Sequence, residues 1–207
     1  MKTPRFFMPT WAAVFSLLFL SSAFAQDATA EKRAAAPVAA ATNITNNLPA
    51  LINTEFSGLA ARGNATMRFV GLKVYDVTLY SKGGAALAAK PYEAAAQPFA
   101  LELIYNMNFK GAEISDRSVQ EMRKQGYSND AQLQKWQAQM TQVFPDIKPG
   151  DALIGVAIPG KEARFYNRTK LIGTIADAEF VAAFFDIWLS QKSSEPKLRN
   201  KLIGATK

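Results

Sequence analysis

The 207-residue chain contains no histidine and no cysteine. That removes imidazole general bases, the Ser-His-Asp triad, thiol nucleophiles, disulfides and most transition-metal sites. Whatever chemistry the chain performs must come from Arg, Lys, Tyr, Asp, Glu or hydroxyls. Arg68 stands out because it lies on a strand-like run, Thr66–Val70, that leads into Gly71-Leu-Lys-Val-Tyr-Asp-Val-Thr-Leu-Tyr80. An arginine stays charged at any relevant pH and offers a planar fork of donors to an oxyanion or carboxylate. The competing reading is a solvated strand arginine in a surface ion pair. Tyr75, Tyr105 and Tyr127 read first as core aromatics whose hydroxyls find a partner, and second as donors to a ligand. Asp76 reads as an exposed charge or as a partner of Arg68. No cofactor and no metal are expected.

These residues need a scaffold. In 71–80, Tyr75, Val77 and Leu79 alternate with Val74, Asp76, Thr78 and Tyr80, the pattern of a strand with one apolar and one mixed face. Gly71 reads as a bulge or kink that re-aims side chains, separating Arg68 from Asp76. Phe99 to Phe109 alternates most clearly, with Phe99, Leu101, Leu103, Tyr105, Met107 and Phe109 on one face. A one-residue slip there would put every large apolar group in water. Asn43–Gly58, broken by Asn46-Asn47 and Pro49, reads as an edge strand or loop. Ala85–Lys90 reads as at most one helical turn.

The period then changes. Glu113–Gln125 predicts a helix closed by Gly126, and Asn129 or Asp130 caps a second helix carrying Leu133, Trp136, Met140 and Val143. Ala152–Ile158 predicts a strand, and Ala163–Tyr166 with Leu171–Thr174 a hairpin. Asp177 caps a helix striped by Phe180, Phe184, Ile187 and Trp188, and Pro196 opens a terminal helix ended by Gly204. Strands, two helices, more strands and two helices give an α+β order: an antiparallel sheet with helices packed on one face.

The N-terminus reads as an address. Lys2 and Arg5 precede the apolar run Trp11–Leu20 and the small residues Ala23 and Ala25, the form of a signal peptide over residues 1–25 with cleavage after Ala25. The run is shorter than the roughly 20 residues that span a bilayer, so the mature protein is expected to have no transmembrane segment and to be periplasmic. Loss of Lys2 and Arg5 lowers the formal charge from +7 to +5. Residues 26–42, almost all small or polar, read as a flexible segment, and residues 43–207 as one domain. No basic stripe with interleaved aromatics points to nucleic acid. The sequence fixes no oligomeric state.

The strand 71–80, Gly126-Tyr127, Phe-Pro-Asp-Ile-Lys-Pro-Gly-Asp (144–151), Asp-Ile-Trp-Leu-Ser (186–190), Pro196, Leu198-Arg199 and Leu202-Ile203-Gly204 together resemble the chalcone isomerase-like proteins, notably their exported bacterial branch. The resemblance covers nearly all of 43–206. It implies an open-faced β-sandwich with a ligand cleft between sheet and helices. It also implies one of two activities: an intramolecular lyase or isomerase acting on a phenolic or enone substrate, or non-catalytic binding of a fatty acid. Plant enzymes of the family hold the substrate oxyanion with an arginine, a strand threonine, a tyrosine and a late-helix hydroxyl. Arg68 is the arginine carried over, with Arg62-Gly63 as a competing alignment, and Tyr127 matches the tyrosine. Tyr75 stands at the threonine position, and Val181 or Ala182 at the late hydroxyl. Losing one oxyanion donor costs roughly 2.7–4 kcal/mol in a hydrolase, so two losses favour binding over turnover. The expected partner is a small amphipathic or anionic ligand, held by Arg68, Tyr75, Tyr105 and Tyr127. A third class, an envelope assembly protein, would be marked by a cleft filled with the domain's own side chains.

Overall fold

In the computed structural model, residues 48–88 and 90–205 are described. The expected signal peptide (1–25), the alanine-rich segment (26–42) and the expected domain start at 43 lie outside the described residues. Six strands, β1 (Leu59–Phe69), β2 (Leu72–Lys82), β3 (Phe99–Tyr105), β4 (Ala152–Ile158), β5 (Glu162–Tyr166) and β6 (Leu171–Ile175), pair antiparallel in chain order as one sheet. The helices are α1 (Ala50–Glu55), α2 (Gly111–Gln125), α3 (Asp130–Val143), α4 (Ala178–Leu189) and α5 (Pro196–Ile203). All belong to one compact unit, residues 41–207, that carries its own apolar cores.

The caps stop and start these helices where the sequence chemistry places them. Gly126, at φ 108°, ends α2 in the left-handed region. Asn129 accepts from the Gln132 N–H at the start of α3, and Asp177 accepts from the Glu179 and Phe180 N–H groups at the start of α4. Helices α2 to α5 lay Met122, Leu133, Trp136, Phe180, Phe184 and Leu202 against the face of the sheet that presents Val77, Leu79, Phe99, Leu101 and Leu103.

The opposite face is also covered. The stretch read as an edge strand or loop forms α1, whose Ile52 packs with Leu48 on Leu59, Tyr80, Ala100, Ile154, Val156 and Tyr166. The expected polar face of β3 is therefore interior: Glu102 is 1% exposed, receives the Tyr80 hydroxyl at 2.9 Å and pairs with Arg168 at 2.8 Å. Burial pushes its carboxyl up, against the pull of Tyr80 and Arg168. β3 is also shorter than its alternation suggests. The chain leaves the sheet after Tyr105, and Phe109 returns in a single bridge to Ile147.

Gly71 carries no bulge. It is the second central residue of a two-residue hairpin turn, Val70-Gly71, between the paired Phe69 and Leu72, with φ 47° and 81°. Positive φ at both central positions is the pattern of a type I′ turn, whose twist matches the flanking strands. The bulges fall at Arg62 on β1 and at Val74 on β2, the residues skipped by the pairing.

Candidate functional site

The register puts Met67 of β1 beside Tyr75 of β2, and Tyr75 beside Tyr105 of β3, in one row across three strands. The Tyr75 and Tyr105 rings meet edge to face at 5.8 Å, and Tyr105 meets Phe109 the same way at 5.5 Å. From α4, Trp188 donates its indole N–H to the Tyr75 hydroxyl at 3.0 Å. Burial pushes the Tyr75 phenol up to about 12, with the Trp188 bond pulling the other way. Burial likewise pushes Tyr105 above its ordinary value. Both phenols are therefore neutral at physiological pH, able to donate hydrogen bonds and unsuited to act as bases.

Arg68 lies where edge strand β1 meets α5. With Ala65, Thr66 and Met67 it lines a cleft of about 160 Å³ whose other wall is Glu195, Lys197, Leu198 and Lys201. Its Nη1 donates to the Gly71 carbonyl at 3.2 Å, which holds the side chain over the turn. The cleft thus brings three cations and one acid together with the apolar side chains of Ala65, Met67 and Leu198. Asp76 does not block it. The Thr66 hydroxyl and the Asn106 amide donate to its carboxylate. Burial would raise the Asp76 carboxyl, but these bonds and the charges of Lys73 and Arg68 outweigh it and hold the group below the usual carboxylate range.

Arg62 does different work. The bulge aims it at the end of α5, where Nε and Nη2 donate to the Ile203 carbonyl at 3.2 and 2.9 Å. Beside it, β1 and α5 approach so closely that a Cβ on Gly63 would sit 2.3 Å from the Leu202 carbonyl oxygen. Arg62-Gly63 is a docking joint for α5, which leaves Arg68 as the arginine beside the cleft.

Tyr127 does not join this group. It follows Gly126 and packs edge to face on Trp136 at 6.0 Å, under the charges of Asp186 and Glu179. Near it, the Tyr92 hydroxyl donates to Asp186 Oδ1 at 2.8 Å, and burial pushes both groups up. The sequence reading missed this pair; the signal was an acid, Asp186, set between Phe185 and Ile187 in an apolar helix. It also missed Glu121, a buried acid in α2 held by Arg117, by Lys124 at 2.9 Å and by the Ser194 hydroxyl at 2.6 Å. Glu121 and Glu195 are both charges felt by Tyr75, so the row of tyrosines and the wall of the cleft share one electrostatic neighbourhood.

Deeper between sheet and helices the space is filled, the feature expected of an assembly protein. The expected cleft between the layers is absent among the described residues. The opening at Arg68 lies instead at the β1–α5 edge, with Tyr75, Tyr105 and Tyr127 outside its lining. Phe144, Phe165, Phe180, Phe184 and Phe185 pack ring to ring at 5.0 to 6.3 Å. Positions 181 and 182 are Val and Ala, and Val181 is fully buried. A further opening of about 230 Å³ lies under the β2–β3 connection, lined mainly by alanines, prolines and Leu87. Its one cation, Lys82, is bonded to the Ser57 carbonyl at 2.8 Å. Of these two openings, the cleft at Arg68 is the one lined by several cations beside apolar side chains.

A six-stranded antiparallel sheet with four helices on one face and an arginine near the strand–helix junction defines an α+β class. Residues 41–204 match the chalcone isomerase-like family, and the chain belongs to it. An uncharacterized protein of Haemophilus influenzae (strain Rd) is 31% identical over 145 residues, 70% of this chain and 68% of that protein. Among solved structures, a fatty-acid binding protein of Arabidopsis thaliana superposes with a TM-score of 0.53 at 13% identity, covering 71% of this chain and 87% of that one. At that identity the likeness is one of fold.

Proposed function

We propose that this protein is a non-catalytic binder of an amphipathic anion, a fatty acid being the simplest, in the cleft between β1 and α5. The observation that carries the reading is the cleft itself, lined by three cations, Arg68, Lys197 and Lys201, against one acid, Glu195, together with Ala65, Met67 and Leu198. The carboxylate meets the Arg68 fork, and the first part of the chain lies on Met67 and Leu198 toward the Tyr75–Trp188 pair. At about 160 Å³ the cleft takes the head and only the start of an acyl chain. The remainder follows the surface or enters as the N-terminal turn of α5 shifts. The fatty-acid binding function of the plant structural neighbour supports the same class of ligand.

Three features weigh against turnover. Tyr75 occupies the family's threonine position and is engaged by Trp188. Val181 and Ala182 supply no hydroxyl. Both phenols of the row are neutral where an isomerase would need a poised acid or base. In this proposal residues 1–25 direct export and the domain works in the periplasm, as in the exported bacterial branch. An N-terminus at Gln26 on the protein recovered from the periplasm checks that part.

The test is to compare palmitate with its methyl ester on the 41–207 unit by displacement of a fluorescent fatty acid. Palmitate should displace the probe and the ester should do so at least tenfold less well. Equal displacement would mean that no cation recognises the head group. Acceleration of chalcone cyclisation by the same protein would move the reading to an isomerase.

A further inference from the structure

The large hydrophobic side chains exposed among the described residues are Phe69 at 37%, Val70 at 82%, Leu72 at 61% and Leu171 at 48%. In sequence they are two separate groups. The register brings them together: β1 ends and β2 begins at the Val70-Gly71 turn, and at the same end of the sheet β5 gives way to β6 at Asn167–Lys170. The two turns are four strands apart, about 19 Å across the sheet, and the pairing sets Leu171 level with Thr78, so the Val70-Gly71 turn also projects roughly 17 Å further along the strands.

Cations surround these apolar tips. Arg68 and Lys73 face each other in the register just behind Phe69 and Leu72. Lys170 precedes Leu171, and Lys148 lies exposed in the turn that enters β4 at the same end. The acids there only partly offset these cations. Asp76 sits 3.9 Å from Lys73 and takes Thr66 and Asn106, and the Asp151 carboxylate takes the Lys148 backbone N–H, whereas Asp146 is paired outside the group, with Lys110 at 2.7 Å. The first turn is also held against its own preference, since Val70 is a β-branched residue at φ 47°, where Asn or Gly is the usual occupant. Strain of this kind persists where the side chain serves something besides the fold.

We infer that this end of the sheet docks on an anionic lipid surface, with Phe69, Val70 and Leu72 entering the headgroup layer, Leu171 touching it at a second point, and Arg68, Lys73, Lys148 and Lys170 meeting the phosphates. Two apolar tips carried on one rigid sheet with cations beside each meet a plane of negative charge over a hydrocarbon layer when the sheet is tilted so that the shorter β5–β6 turn also reaches it. A protein groove of ordinary size would take one tip and leave the other, some 19 Å away across the sheet, in water.

The experiment is vesicle co-sedimentation of the 41–207 unit, without fatty acid, on phosphatidylcholine vesicles and on vesicles with about 30% phosphatidylglycerol, at low salt and at about 0.5 M salt. Binding should appear on the anionic vesicles and fall sharply at high salt. The double variant Val70→Asn/Leu72→Ser should bind them at least tenfold more weakly while keeping its fold by circular dichroism and its affinity for palmitate. Lys73→Gln/Lys170→Gln should lose several-fold. Equal binding to both vesicle types, no binding to either, or an unaffected Val70→Asn/Leu72→Ser protein would overturn the inference. So would tip-dependent self-association in sedimentation velocity with no vesicle binding, which would make the tips a contact between copies. A protein that binds vesicles but not palmitate would leave this inference standing and remove the proposed ligand.

Discussion

The indole N–H of Trp188 donates to the hydroxyl of Tyr75 at 3.0 Å, tying the fourth helix to the second strand next to the arginine cleft. Replacing Tyr75 with Phe keeps the ring that packs on Tyr105 but leaves a largely buried indole N–H without its acceptor. Tyr75→Phe should cost about 1–3 kcal/mol in urea unfolding, because an orphaned buried donor loses its desolvation energy. Trp188→Phe, which removes the donor, should be the milder of the two at that bond. If Tyr75→Phe unfolded at the wild-type midpoint, the bond would have no part in fixing the row.

Arg62 and Arg68, six residues apart on one strand, should separate cleanly. Arg62 makes two bonds to the last carbonyl turn of α5, so Arg62→Ala should destabilise by about 1–2 kcal/mol, the usual scale for a lost cap. Arg68 is exposed and bonded only weakly to the turn it overlies. Arg68→Ala should leave the melting temperature within about a degree. Equal losses for both variants would show that Arg68 is structural.

Val70→Asn should stabilise the protein. The valine sits at φ 47°, and asparagine tolerates that region and forms the Asn-Gly pair that type I′ turns prefer. The expected gain is about 1 kcal/mol, or roughly 2–4 °C in melting temperature for a domain of this size. A fall in melting temperature would mean that the valine side chain is packed rather than strained.

Acid should weaken the junction between α2 and the loop before α5. Burial alone would raise Glu121, but Ser194, Lys124 and Arg117 hold its carboxyl below the ordinary 4.5. A depressed folded-state value means that the contribution is present above the unfolded value and lost as pH falls through and below it. Melting temperature should therefore drop between about pH 5 and 3, and Glu121→Gln should flatten that slope while lowering stability at pH 7 by about 1.5–3 kcal/mol. A slope unchanged in the variant would assign the acid sensitivity elsewhere.

Much of this architecture is legible in the residues, and the gaps have identifiable causes. The antiparallel sheet, the helices α2 to α5 and their ends follow from signals confined to a few neighbouring residues: the alternation of Phe99–Tyr105, the caps Asn129 and Asp177, and the glycines at 126 and 204. Helix α1 has no such signal. Pro49 offers no side-chain cap, and the helix exists because Ile52 is buried on the far face of the sheet, a tertiary fact. The turn at Val70-Gly71 hides because valine stands where asparagine would announce it. At the site, the row Met67, Tyr75 and Tyr105 follows from strand pairing, with Arg68 one residue further along β1 opposite Lys73, whereas Tyr127, which follows α2 in sequence, ends up with Trp136 through packing that no local pattern records. The row of Phe144, Phe165, Phe180, Phe184 and Phe185 reads as a stripe of core residues, and only the assembled sheet shows that it occupies the space a larger ligand would need.

The central claim is that Arg68 receives the head of an amphipathic anion. Isothermal titration of palmitate into the 41–207 unit and into its Arg68→Ala and Arg62→Ala variants tests it most directly. The account predicts an affinity about five- to tenfold weaker for Arg68→Ala, the scale of one exposed charge-assisted contact, and an affinity close to wild type for Arg62→Ala below its melting range. Undiminished binding by Arg68→Ala would contradict it.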